Sequence, residues 1–426
     1  MQAKAPQAWR EVCLEEVCDR ITVGHVGPMA KDYVPDGIPF LRSQNIAPFH
    51  IDLNDVKYIT SEFHQKLKKS ALSPGDVAIV RTGHPGTAAV VPASLPVANC
   101  ADLVIIRPSQ EIDPWFLTCL FNSVWGKRTV AGNLVGVAQQ HFNVGAAKNL
   151  RIYLPPIEIQ RRIAAILSAY DDLIENNTRR IVILEEMARR LYEEWFVHFR
   201  FPGHEGVKIV ESEIGAVPEG WTVKTVQDAF EILGGGTPSK QVDEYWQGGD
   251  ISWYTPTDLT KSGDIFMDRS GMQITELGLK KSSARLFPPF SVMMTSRATL
   301  GVIAINTTEA STNQGFITCL PNDEVPLYTL YHWLKANVEQ FISLGTGATF
   351  KEITKGVFKT VQLAVPTSEI VQEFESKVGP MMGLVLRLQR KNMNLRAQRD
   401  LLLPKLISGG IDVSEIGGPI AEVAAE

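Results

Sequence analysis

The sequence predicts an α/β (α+β) chain: two pseudo-symmetric, strand-rich α/β domains, each followed by a long helix, with the two helices pairing as an antiparallel coiled coil. Three observations predict it. The stretch Glu158–Phe199 follows a Pro155-Pro156 step and contains neither proline nor glycine. Its apolar residues, from Ile159, Ile163, Ile166 and Tyr170 to Leu184, Ala188, Leu191 and Trp195, recur every three or four positions, which is the seam of an amphipathic helix. Second, Glu369–Ser408 repeats that seam with Ile370, Phe374, Val378, Met381, Val385, Leu388, Leu395, Leu402 and Leu406. Third, the strand-like runs ahead of the two helices match one another at a nearly constant offset. A helix of that length spans roughly 60 Å at about 1.5 Å per residue. One globular domain cannot cover such a seam, so each helix needs a partner helix.

Size and composition bound the rest. At 426 residues the chain is expected to hold two or three domains. A hydrophobic fraction of 44% and a charged fraction of 21% are ordinary for a soluble globular protein. No apolar run is long enough for a transmembrane helix, and the N-terminal stretch shows no secretory h-region. Five cysteines without a CxxC pair argue for reduced thiols in a cytoplasmic protein, rather than a disulfide framework or structural zinc. The net charge of −5 argues weakly against nucleic acid, but its distribution softens that. Residues 1–157 hold 15 Lys and Arg against 13 Asp and Glu; residues 367–408 hold 7 against 4. Residues 409–426 hold four acids and no base. Any nucleic-acid contact must therefore rest on local basic loops or on a basic partner.

In order, residues 1–157 read as the first domain. Trp9–Val17 gives a strand and turn, and residues 37–42 a short strand. Ser61–Lys69 reads as a short helix with Ser61 as its N-cap. The turn Ser73–Asp76 leads into the buried-strand pattern Val77–Val80, then a loop over Arg81–Thr87. Asp113 caps a helix with Pro114 at its first position. Ile152–Leu154 closes the domain. The long helix occupies residues 158–199. Residues 200–220, rich in glycine and proline, form a linker. The second domain covers residues 221–366, the second helix 367–408, and an acidic tail 409–426. Gly379-Pro380 should kink or restart the second helix.

The second half is a diverged copy of the first. Trp221 restarts the domain as Trp9 began it. Ile251–Tyr254 matches Ile38–Leu41 at an offset of 213, and Val292–Arg297 matches Val77–Thr82 at 215. Val361–Pro366 matches Leu150–Pro155 at 211, as Leu395, Leu402 and Leu406 match Leu184, Leu191 and Trp195. Antiparallel helices would hold the two globules tens of ångströms apart. That suits a DNA target whose halves lie whole turns apart, each about 34–36 Å. It suits equally well a scaffold that joins two protein partners without touching DNA.

Specific strings then carry a resemblance. They are Leu191–Phe196 with Phe199-Arg200-Phe201-Pro202, Ile214–Trp221, Gly235-Gly236-Thr237-Pro238-Ser239, and Arg399–Gly409. Together they resemble the specificity (S) subunits of type I restriction-modification systems, over nearly the whole chain. The resemblance implies two target recognition domains, each reading one half of an interrupted double-stranded DNA sequence. It implies helices that set the spacer and dock two methyltransferase (modification) subunits, and motor-nuclease (restriction) subunits that join through the complex. S-adenosylmethionine, ATP and Mg would then belong to partner subunits, and this chain would be non-catalytic.

The residues agree with a non-catalytic reading. A phosphate-binding P-loop is absent, and Gly234-Gly235-Gly236 lacks the strand-GxGxxG-helix context, so it reads as a turn. Phe287-Pro288-Pro289-Phe290 has a phenylalanine where an adenine methyltransferase needs a polar acceptor. The eight histidines include no HExxH or HxxxH pair. DNA reading therefore falls to loops. In the first domain the candidates are Arg42, Ser43, Gln44 and Asn45, then Arg81, Thr82 and His84, then Gln139, Gln140 and His141. Arginine suits guanine, and Asn and Gln suit adenine. Their counterparts are Tyr254, Thr257 and Asp258, then Ser296, Arg297 and Thr299, then Thr346, Thr349, Phe350 and Lys351. Lys148 and Lys359 match between repeats as phosphate contacts. The candidates for partner contacts are Arg189, Arg190, Tyr192, Trp195 and Phe196 at the end of the first helix, with Arg399 on the second. Asn392 and Arg399 fall on the seam of the second helix.

Overall fold

A computed structural model of the chain describes residues 9–134, 141–297, 299–347 and 351–414. The chain divides into two compact units. The first joins residues up to 176 with those from 392 onward; the second is residues 177–391. The division falls inside both long helices, so each unit holds a stretch of each.

In the first unit the strand Arg10–Cys13 pairs antiparallel with Arg151–Leu154, register Arg10 to Leu154. This clasp joins the start of the globule to its end. Pro155-Pro156 then passes the chain directly into the central helix, Ile157–Tyr192, which finishes in a π-helical turn, Glu193–Val197. The main sheet has four antiparallel strands in the order Ala88–Val90, Val77–Val80, Leu103–Pro108, Cys18–Val23. All four residues of Val77–Val80 are buried, as the run of β-branched residues requires for a central strand. The second sheet has five strands, with Ile38–Leu41 parallel to Ala98–Cys100 and antiparallel to Lys57–Ile59. Asp113 caps the helix Pro114–Asn122 by accepting from the Phe116 N–H at 2.9 Å. The short helix near residue 61 starts one position earlier than expected: Thr60 is the N-cap, its hydroxyl accepting from Phe63 N–H at 3.1 Å.

The second unit repeats the central strands of this topology, with one strand more in its main sheet and two fewer in its smaller one. Thr222–Thr225 pairs antiparallel with Gln362–Val365. Its main sheet runs Ile232–Gly234, Phe316–Cys319, Val292–Thr295, Ile303–Asn306, Phe266–Met267. Its smaller sheet again places one strand, Ile251–Tyr254, parallel to Ala310–Thr312 and antiparallel to Met272–Ile274. The matched loops share their geometry too. Gly86 and Gly301 both take φ near +90°, and each donates its N–H at 3.0 Å to the last residue of the preceding strand, Val80 or Thr295. Each lies against a valine, Val130 or Val338. A side chain would strain the backbone and collide with that valine.

The helices run antiparallel within each unit. In the first, Arg162 meets the carbonyls of Val413 and Ser414, Asp171 meets Arg399, and Ile174 meets Asn392. Numbers rise on one helix as they fall on the other. Ile163 and Leu167 join Leu403, Leu406 and Ile407 in the same core as Ile152 and Leu154. In the second, Ala188, Tyr192 and Trp195 pack with Phe374, Val378, Met382 and Val385. Burying each of the aliphatic, phenylalanine or methionine side chains among these contributes roughly 1.5–3 kcal/mol. The expected restart at Gly379-Pro380 is not seen: the second helix runs unbroken from Ser368 to Ile407. Val378 and Met382, both 0% exposed, anchor the turn around the proline, and their packing offsets the lost hydrogen bond.

Candidate nucleic-acid interface

In the first unit two segments converge. The strand Ile38–Leu41 delivers Arg42–Asn45, and the hairpin after Val77–Val80 delivers residues 81–87. Between them lies a cleft of about 690 Å³, lined by Ser43, Gln44, Thr82 and His84 over Ile46, Pro48 and Val80. Lys127, on the helix Val124–Gly132, adds an ammonium group to the lining. Gln44, His84 and Lys127 are exposed. Hydrogen-bonding groups over an apolar floor, with a cation at the edge, can meet both base edges and phosphate. Four residues singled out by sequence thus share one surface. Lys127 was missed, because a lysine on a polar helix face looks the same whether or not a cleft lies beside it.

Several of the sequence candidates in this unit, Gln44 among them, also hold the fold. Arg42 donates to the Asp55 carboxylate at 3.1 Å, and Gln44 donates to the same group at 2.8 Å. Lys57, then Arg42, holds the Asp55 carboxyl below its usual range. Asn45 is 2% exposed; it accepts the Arg42 N–H and donates to the Asp52 carbonyl, so it closes a turn and cannot meet a base. The Arg81 side chain is 13% exposed. Its Nη1 donates to Asp102 at 2.6 Å and its Nε to the Phe142 carbonyl at 3.2 Å. It staples the loop in place rather than standing free to read. Lys148 pairs with Glu15 at 2.6 Å. His141 is half-buried, while Gln139, Gln140, Thr349 and Phe350 lie outside the described residues.

In the second unit Thr257, Thr299, Thr346, Lys351 and Lys359 are exposed, and Arg297 is half-buried. Arg297 bridges to Glu352 through the backbone, which brings the segment before Thr354 beside the strand end. Pro256 and the Arg297 Nε flank Gly315, where a Cβ would sit 3.1 and 3.3 Å from them. Three expectations are corrected. Tyr254 is fully buried and donates to the Met267 carbonyl at 3.1 Å; it corresponds to the core residue Leu41, not to Arg42. Ser296 is 4% exposed and engaged through its backbone to Gly315 and Ile353. Asp258 accepts from Thr255 and from the Gly271 N–H, so it caps a helix and fixes a turn. Gly234-Gly235-Gly236 is a site of close approach: Cβ atoms there would meet Lys355 Nζ, the Asn313 carbonyl and Ser283 Oγ at 2.0–2.3 Å. Lys355, not singled out from the sequence, thus lies over this glycine run.

Both halves of the chain, residues 6–186 and 218–376, match the family described as the type I restriction modification DNA specificity domain. The chain belongs to this family. It is 36% identical over 184 residues to the MjaIX specificity subunit of Methanocaldococcus jannaschii, covering 43% of this chain and 42% of that one. Over longer spans it is 23% identical to the HindI specificity subunit of Haemophilus influenzae, covering 85% of this chain and 91% of that one. It is 24% identical to a putative MjaX specificity subunit of M. jannaschii, covering 96% and 95%. A crystal structure of a type I S subunit from M. genitalium has the same fold, with TM-score 0.59 and 13% identity over 95% of this chain and 97% of that one. Two specificity domains, one per unit, make this a DNA-recognition chain.

The helix candidates separate on burial. Tyr192 and Trp195 are 6% and 4% exposed and, with half-buried Phe196, pack edge-on or tilted around Phe374. Tyr192 and Trp195 are core of the second unit and offer no free face to a partner. Arg399 is likewise internal to the first unit, paired with Asp171. Arg189 and Arg190 remain exposed and pair with Glu186, whose carboxyl they pull down to about 2, Arg189 first. Beside them Val182, Ile183 and Met187 are 59%, 58% and 49% exposed, an apolar strip lying off the seam that the helical periodicity marks.

Proposed function

We propose that this chain is the DNA sequence-recognition subunit of a type I restriction-modification complex and reads a bipartite, interrupted target. The observation that carries this is the pair of specificity domains with the same topology but different exposed side chains. Gln44, His84 and Lys127 surround the cleft in one; in the other, the counterpart segments carry exposed Thr257 and Lys351 and half-buried Arg297. Two such surfaces imply two different half-sites. The paired helices supply the spacing between the half-sites and dock methyltransferase subunits. The strip Val182, Ile183, Met187 with Arg189 and Arg190 supports the docking role. Methyl transfer from S-adenosylmethionine, and the steps that need ATP and Mg, fall to partner subunits. With a net charge of −5, DNA affinity rests on local cations and on those partners.

The test is an electrophoretic shift of the chain assembled with its methyltransferase partner. Duplexes carrying the bipartite site should bind tightly, and random duplexes of equal length weakly. Equal affinity for both would reject the reading.

A further inference from the structure

The cleft of the first unit is braced from the helices. Arg399, on the C-terminal helix, ion-pairs with Asp171 on the central helix. Its guanidinium lies over the Phe49 ring at 4.9 Å. Phe49 directly follows Pro48, which with Ile46 forms part of the cleft floor. Phe49 is 7% exposed and holds φ of 67°, a conformation disfavoured for an aromatic residue. Its N–H donates to the Ala88 carbonyl at 3.0 Å, which ties the turn to the hairpin carrying His84. The ion pair itself is a poor stabiliser: both side chains are under 20% exposed, and Asp171 Oδ2 is buried without a hydrogen-bond partner. What such a pair does well is fix a position.

A brace recurs at the same place in the second unit, built from different residues. At the offset of 215, residues 49–51 correspond to 264–266. There Gln389 donates to Asp264 at 3.0 Å and accepts the Phe266 N–H at 3.2 Å, while Arg390 holds Asp268 at 2.7 Å. Arg390 and Arg399 are not matched positions of the repeat, so the brace is not simply inherited from a common ancestor segment.

We infer that Arg399 is a positioning residue for DNA reading: it carries the register of the helix seam through Phe49 to the floor of the first cleft, and so sharpens base choice in the half-site read by that unit. The inference rests on the proposed function above.

The test uses the full chain assembled with its methyltransferase subunits, and the variants R399Q, R399K and F49L. Methylation rates are measured on duplexes with single base changes in either half of the site that the unmodified chain methylates, with thermal midpoints in parallel. Lysine keeps the charge for Asp171 but loses the planar stack, so R399K separates positioning from stability. The expected result is discrimination falling about tenfold in one half-site only, comparable to one good base contact. Full discrimination in all three variants, whatever their midpoints, would overturn the inference. So would equal relaxation of both half-sites. An unmodified chain with no bipartite preference would sink the proposed function first, and this inference with it.

Discussion

Removing the Arg81 guanidinium leaves Asp102 without its ion-pair partner, with only the Thr82 hydroxyl at 3.4 Å, at a residue that already holds φ of 51°. Arg81→Ala should cost about 1–2 kcal/mol in urea unfolding, a modest loss because water reaches the freed carboxylate. It should weaken binding to all sequences alike; unchanged stability with one base preference lost would make Arg81 a reader instead. His332 gives a second residue-scale prediction. It is 4% exposed, stacks on Tyr192 at 5.8 Å, and its Nε2 has no hydrogen-bond partner. Burial, then Lys335 and Arg189, depresses its pKa from 6.5 to about 3. The unfolded chain therefore binds a proton that the folded chain refuses. The stability involved is fully present above about pH 6.5 and is lost as the pH falls toward 3, at up to ~1.4 kcal/mol per pH unit. His332→Phe should flatten that slope between pH 7 and pH 5 in urea titrations; an unchanged slope would contradict it. Neither residue was legible in the sequence. Arg81 looked free because Asp102 lies 21 positions away and faces it only through a left-handed turn.

Elements were more legible than side chains. Runs such as Val77–Val80 and Val292–Thr295 announce central strands through their composition, and the structure places both in the middle of matching sheets. The helical seam was legible for the same reason, since periodicity reports which face is covered. Periodicity could not say how wide the covered face is. Val182, Ile183 and Met187 sit beside seam residues and yet remain bare. Ile183→Asp combined with Met187→Asp should leave the chain folded and monomer stability within about 0.5 kcal/mol. Co-elution with methyltransferase subunits in size-exclusion chromatography should fall sharply. Undiminished assembly would place docking on another face.

At the scale of the whole molecule, the repeat was the strongest signal in the sequence, because two copies of one topology must bury the same positions. What it could not give was the division of the chain into units. The boundary between the units falls inside both continuous helices, between 176 and 177 and between 391 and 392. Each unit holds a domain and a stretch of both helices; Arg399 contacts Phe49 within the first, and Arg390 contacts Asp268 within the second. The central claim is that each unit reads its own half of one interrupted site. Sequencing the methylated bases of a cell that carries this chain with its methyltransferase tests it most directly. The account predicts one motif of two specified halves separated by a fixed run of unspecified bases, with substitutions at Gln44, His84 and Lys127 changing one half and substitutions at Thr257 and Arg297 changing the other. A single uninterrupted motif, or both halves changing together, would contradict it.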